Sequence, residues 1–164
     1  MDFYQKYARA VLISGVAFKE GQCLRIVAEP VHAELAHIVE AEAYKMGARY
    51  VEIDLQDPRS AVNRSLHQKE EYLDFVPSYV KNKVDEFVNS KWSLINLNGM
   101  EDPFIPKQID QKRNATTVKA SRMITKPMSL AMGDGTCAWC IVAAPPDGWA
   151  KQLGLKDKTE LWSI

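Results

Sequence analysis

Two short groups of residues have the types needed for a zinc site of the nucleobase-deaminase kind: His32-Ala-Glu34 and Cys137-Ala-Trp-Cys140. Such sites hold zinc on one histidine and two cysteines, in H-x-E and P-C-x-x-C, while the glutamate shuttles protons. Here Thr136 stands where the proline belongs. The run Thr136 to Ala144 also reads as a strand, in which side chains three apart point to opposite faces and α-carbons lie about 10 Å apart. That exceeds the roughly 7 Å a disulfide allows, and it defeats chelation of one ion. Both thiols therefore read as small buried hydrophobes, and a deaminase-like site from His32, Glu34, Cys137 and Cys140 is a remote alternative.

The histidines fare no better as a set. His32 and His37 are five residues apart, which on a helix separates them by roughly 140°, whereas metal-chelating histidines use i, i+4. His37 reads as a solvated helix-face residue, and His67 has no evident partner. His32 falls near a helix start just beyond a strand's carboxyl end, where α/β proteins build sites, so it is a candidate site residue. The loop Ala28-Glu-Pro30 has no glycine, and Gly133-Asp-Gly135 precedes a strand, so neither cradles a phosphate.

The elements that must position these residues are legible from periodicity. From Val31, the apolar residues Leu35, Ile38, Val39, Ala43 and Met46 recur on one helix face, and Gly47 sits where a left-handed cap is expected. Leu24 to Ala28 precedes this helix as a strand, and Tyr50 to Leu55 follows it with period two. Two strands joined by a helix through short loops make a right-handed crossover in a parallel sheet. An amino-terminal helix over Phe3 to Phe18, a helix opened by Pro77, a third strand ending at Leu97, a helix from Ile109 to about Thr125, and a short helix containing Trp149 complete the pattern. The apolar run Thr136 to Ala144 suits a fourth strand covered on both faces. The expected fold is a three-layer α/β domain with a mostly parallel sheet of at least four strands and helices on both faces, Rossmann-like without a phosphate loop. Its expected sheet interior is Ile26, Val51, Ile53, Leu94, Ile95, Trp139, Ile141 and Val142. Met123, Ile124 and Val118 are expected to face inward from the helix before the fourth strand. Residues 1–153 form this domain, and 154–164 read as a linker and the start of a further one.

Composition narrows the partners. The 164 residues carry 21 basic and 21 acidic side chains, so no global field draws nucleic acid or an anionic membrane. No apolar run approaches the roughly 20 residues that span a bilayer. Three cysteines argue against a disulfide framework and for a cytoplasmic setting. The basic helix Lys107 to Lys126 reads as a solvated or domain-facing helix, and Trp92, Trp139 and Trp149 as core or interface anchors.

Three stretches, in order, resemble a known family: Ala41-Glu-Ala-Tyr-Lys-Met-Gly-Ala-Arg-Tyr-Val51, Cys140-Ile-Val-Ala-Ala-Pro145, and Gly148-Trp-Ala150. They are similar to the amino-terminal domain of the thermophilic metalloaminopeptidases, the aminopeptidase T and aminopeptidase S type, and the resemblance runs from Tyr7 to Ile164. It implies a dimeric two-domain hydrolase that removes amino-terminal residues from peptides. It implies as well a pair of divalent metal ions, zinc or cobalt among them, that would supply activated water for attack on the peptide carbonyl. The resemblance places the metal ligands in a carboxyl-terminal domain, so no catalytic or metal-binding residue transfers onto this chain, and substrate-contacting residues are unassigned. The chain is expected to be the non-catalytic part, inactive alone, enclosing the active-site cavity and exposing an apolar patch where its partner sits. The contrasting expectation is a free-standing α/β interaction module with no enzymatic parent.

Overall fold

The computed structural model describes residues 2–163. Two compact units make up the chain: one of residues 2–56, 93–103 and 138–163, the other of Asp57–Trp92 and Phe104–Cys137.

The first unit holds the sheet. Strands β1 (Cys23–Ala28), β2 (Tyr50–Leu55), β3 (Ser93–Asn98) and β4 (Trp139–Ala143) are all parallel, in the spatial order β2-β1-β3-β4. This is the α/β class and parallel sheet expected. Register puts Leu24, Ile26 and Ala28 of β1 beside Val51 and Ile53 on one side and Ser93, Ile95 and Leu97 on the other. These residues line one sheet face, and all but the half-buried Ile53 are buried. The face is covered by helix α2 (Ala33–Lys45), against which α1 (Phe3–Ala10) packs. Leu35, Val39 and Ala43 are the inward stripe of α2, as the 3.6-residue period requires. Gly47 ends the helix at φ +84°, a conformation that costs a residue with a Cβ.

Helix α1 starts on a capping box, Asp2 with Gln5, and widens into a π-turn at Val11–Gly15. There a Cβ on Gly15 would stand 2.9 Å from Cys140 Sγ, so glycine lets the turn lie against β4. The Tyr7 hydroxyl donates to the Ala143 carbonyl at 2.6 Å and fixes α1 to the end of that strand.

Strand β4 corrects one expectation. It begins at Trp139, so Cys137 precedes it, and it is an edge strand with one covered face. Cys140 and Val142 pack toward the core, whereas Trp139 and Ile141 are 48% and 58% exposed. The same face of the sheet carries Arg25, which pairs with Asp54 and lies 3.5 Å from Glu52. Period-two alternation fixes which residues share a face but not whether anything covers it.

After α6 (Asp147–Gln152), residues 154–163 do not trail away. Asp157 caps α7 (Lys158–Leu161), and the Lys158 amide donates to Asp147 Oδ1 at 2.7 Å. Trp162 then sets its ring edge-on to Phe3, Tyr4 and Tyr7 at centroid distances of 5.2 to 5.7 Å, a favoured aromatic geometry.

The second unit is helical: α3 (Pro58–His67), α4 (Ser78–Asn89) and α5 (Gln111–Gly133) pack around Val62, Leu73, Val84, Phe87 and Ala131. Arg113 of α5 donates to the carbonyls of Ser65, at 2.6 Å, and Gln68, satisfying acceptors at the end of α3 that no helical amide reaches. Helix α5 runs two turns past its expected end because Pro127, inside it, removes one hydrogen bond without stopping it. Met123, expected inward, is 72% exposed, while Val118 and Ile124 are half-buried. Cys137 is buried, its thiol directed at the Phe87 carbonyl at 3.8 Å.

One buried charge ties α1 to α2. The Glu42 carboxylate accepts from Lys45 at 2.6 Å and from Arg9 at 3.5 Å, and the Lys45 hydrogen bond holds its carboxyl below the usual glutamate range. A carboxyl whose pKa falls on folding stabilises the fold above its unfolded pKa, and that contribution is lost as pH falls through the folded value. Glu42→Gln is therefore expected to lower Tm at pH 7, with the gap to wild type closing as pH drops below the carboxylate range. Thermal melts across pH check this; a gap independent of pH would refute the ionic role.

Candidate functional site

A parallel sheet of order 2-1-3-4 has its switch point between β1 and β3, and α/β proteins bind ligands in the crevice beyond those strand ends. Here the chain itself fills that crevice. His32 sits on a one-turn 3₁₀ segment, Pro30–His32, between β1 and α2. Its imidazole is buried, with Nε2 2.5 Å from the Gly99 carbonyl oxygen beyond β3. A carbonyl only accepts, so Nε2 carries the proton. Beside it, Glu29 Oε2 accepts the Glu101 amide at 3.3 Å, and Glu101 Oε2 accepts the Gly148 amide at 3.1 Å. The Ala144 amide donates to the Asn98 carbonyl at 2.9 Å. The loops after β1, β3 and β4 are thus latched in series.

Two glycines make the latch possible. A Cβ on Gly99 would stand 2.0 Å from the Ala144 carbonyl oxygen, and one on Gly148 would stand 1.9 Å from that of Glu101. Backbone meets backbone at both places, with no flexible side chain to give way.

Next to the latch lies an open cavity of about 220 Å³, walled by Tyr4, Val31, Leu35, Pro146 and Trp162, with His32, Glu34 and Lys158 in its lining. It offers an apolar bed with one carboxylate and one ammonium. Its shape and lining have the makings of a binding cleft.

Of the residues singled out in the sequence, the fold keeps His32 and Glu34 in that one lining and brings neither cysteine to it. His32 is committed to Gly99 and Glu34 is exposed. Cys137 is buried in the helical unit and Cys140 half-buried on β4. Burial pushes both thiols above the ordinary cysteine pKa, which suppresses the thiolate that metal binding or nucleophilic attack needs. His37 pairs on the helix surface with Glu40 at 2.9 Å, and His67 is exposed at the end of α3. Among the described residues no three His, Cys, Asp or Glu side chains converge to hold a metal ion. Sequence reasoning missed Glu29, Gly99, Glu101 and Gly148. Asn98-Gly99 and Asp147-Gly148 read locally as turn signals, and nothing in that spacing reveals a second backbone.

The sequence profile described as thermophilic metalloprotease (M29) matches residues 2–162. The chain belongs to that family. Among curated M29-like relatives, it is 28% identical over 149 residues to aminopeptidase PepS of Streptococcus thermophilus, covering 91% of this chain and 36% of that protein. It is 26% identical to aminopeptidase 2 of Geobacillus stearothermophilus, covering 90% and 36%, and 24% identical to aminopeptidase AmpS of Bacillus subtilis, covering 93% and 38%. In fold it matches wild-type AmpT from Thermus thermophilus with a TM-score of 0.79 at 22% identity, over 90% of this chain and 37% of that one. The chain thus spans little more than a third of the length of the M29-type relatives it matches.

The metal that the family description implies does not fit the residues present, since no donor set of three converges among those described. Gly99→Ala is expected to destabilise the protein by about 1–3 kcal/mol, the cost of overpacking a tight site. The Ala144 carbonyl would be displaced and the His32 bond weakened. Chemical denaturation, with the His32 imidazole followed by NMR, checks both; an unshifted His32 resonance would refute the latch.

Proposed function

We propose that this chain is the amino-terminal, non-catalytic domain of a metal-dependent aminopeptidase, a hydrolase that removes amino-terminal residues from peptides. Its role in the parent is to help enclose the active-site cavity. The parent works in the cytoplasm as a homodimer, with two divalent ions, zinc or cobalt, held by its carboxyl-terminal domain. Residues 154–164 lead from this domain into that one.

The observation that carries the reading is the family match over residues 2–162 against relatives more than twice as long, all of them aminopeptidases. The state of the strand ends supports it. A sheet that hosted the chemistry would leave its switch-point crevice open to substrate, whereas here His32, Glu29 and Glu101 occupy it. The exposed apolar side chain of Ile141 on β4 supports a covering partner, since exposed apolar surface marks interfaces.

The test compares the 164-residue chain with the product of the whole reading frame that contains it, each given leucine p-nitroanilide and added zinc or cobalt. Hydrolysis is expected from the whole product, abolished by chelator, and none from the chain alone. Turnover by the chain would refute the non-catalytic role, and a reading frame whose whole product lacks peptidase activity would refute the enzymatic parent.

A further inference from the structure

The two units differ in charge although the chain is neutral. The sheet unit carries 13 acidic and 9 basic side chains, the helical unit 8 acidic and 12 basic. Much of the excess lies on α5, where Lys112, Lys119, Arg122 and Lys126 are exposed. Five cations elsewhere pair with carboxylates: Arg9 and Lys45 on Glu42, Arg25 on Asp54, Arg59 on Asp57, Lys81 on Asp85. Among the described residues, no ion pair involves the four on α5.

Their spacing is specific. At 3.6 residues per turn, Lys119, Met123, Lys126 and Leu130 fall within an arc of about 60°, with Lys112 in the same row and Arg122 beside it. Met123 and Leu130 are 72% and 60% exposed. Alongside runs a cleft lined by Val76, Ala120, Met123 and Ile124, with Lys119 and Asp74 in its lining, and neighbouring Phe75 is 61% exposed. Cations and large apolar side chains therefore share one face. In a helix that lies on a membrane they occupy opposite faces, and a single-strand nucleic-acid groove interleaves its cations with stacking aromatics. A face that mixes unneutralised cations with exposed methionine and leucine complements carboxylates interspersed with apolar side chains.

We propose that the outward face of α5, with the cleft beside it, docks an acidic protein segment bearing large apolar side chains. The apolar side chains enter the cleft at Met123 and Val76, and the carboxylates meet Lys119, Arg122 and Lys126. The contact would supply the counter-charge the unit lacks, with specificity from charge and affinity from the buried apolar anchors.

The experiment titrates the 164-residue chain against a fluorescein-labelled helical peptide of glutamates with leucines at alternating three- and four-residue intervals, followed by anisotropy. Saturable binding is expected, weakening with salt. Lys119→Glu with Lys126→Glu should weaken it at least about tenfold, as should Met123→Asp. Lys151→Glu with Lys156→Glu should leave it unchanged. Circular dichroism melts confirm folding, and Lys119→Gln with Lys126→Gln serves if the reversal variant fails to fold. The proposal is overturned by absent binding, by equal binding of a peptide with glutamine for every glutamate, or by insensitivity to the α5 variants. Tighter binding to phosphatidylglycerol vesicles or to an RNA oligonucleotide would overturn it equally.

Discussion

In a parallel sheet every strand must be reached by a crossover, so all the loops leaving the strands meet at one rim. The space available at that rim governs what the domain can hold. In this chain it is set by two places where backbone lies on backbone, Gly99 against Ala144 and Gly148 against Glu101. Because those approaches are close, the β1, β3 and β4 loops can share hydrogen bonds, and His32 can reach the Gly99 carbonyl. The crevice in which parallel α/β sheets bind ligands becomes part of the scaffold.

The same economy recurs where the helices meet the sheet. Tyr7 anchors α1 to β4, the π-turn at Gly15 makes room for Cys140, and Glu42 joins α1 to α2 through Arg9 and Lys45. The stretches that carry the family resemblance fall on these devices. Ala41–Val51 contains Glu42, the Gly47 cap, and Tyr44, whose hydroxyl accepts the Val51 amide at 3.2 Å. Cys140–Pro145 is the edge strand with its rim, and Gly148-Trp-Ala150 holds the second close approach and the buried Ala150. The resemblance rests on architecture, not on reacting groups.

Polar chemistry is distributed accordingly. Buried or half-buried thiols, a histidine spent on a carbonyl and a carboxylate held between two cations are groups that position backbone. Exposed apolar and charged side chains gather at two places: Trp139 and Ile141 in the sheet unit, and the cationic, apolar face of α5 in the helical unit. A domain arranged this way is suited to being covered and contacted.

Local spacing by itself determined the strand–helix–strand order, the parallel sheet, the inward stripe of α2 and the Gly47 cap, because periods of 2 and 3.6 and positive-φ caps are properties of short segments. Tertiary structure alone decided that β4 is an edge with an open face, that Met123 points outward, that Cys137 lies before the strand, and that Trp162 returns to α1. It alone gave His32 its partner, 67 positions along the chain. The physical reason is common to all of these. Periodicity says which side chains share a face, but whether that face is covered, and which distant backbone lies against a glycine, depends on how far-separated segments stack, and no local pattern records it.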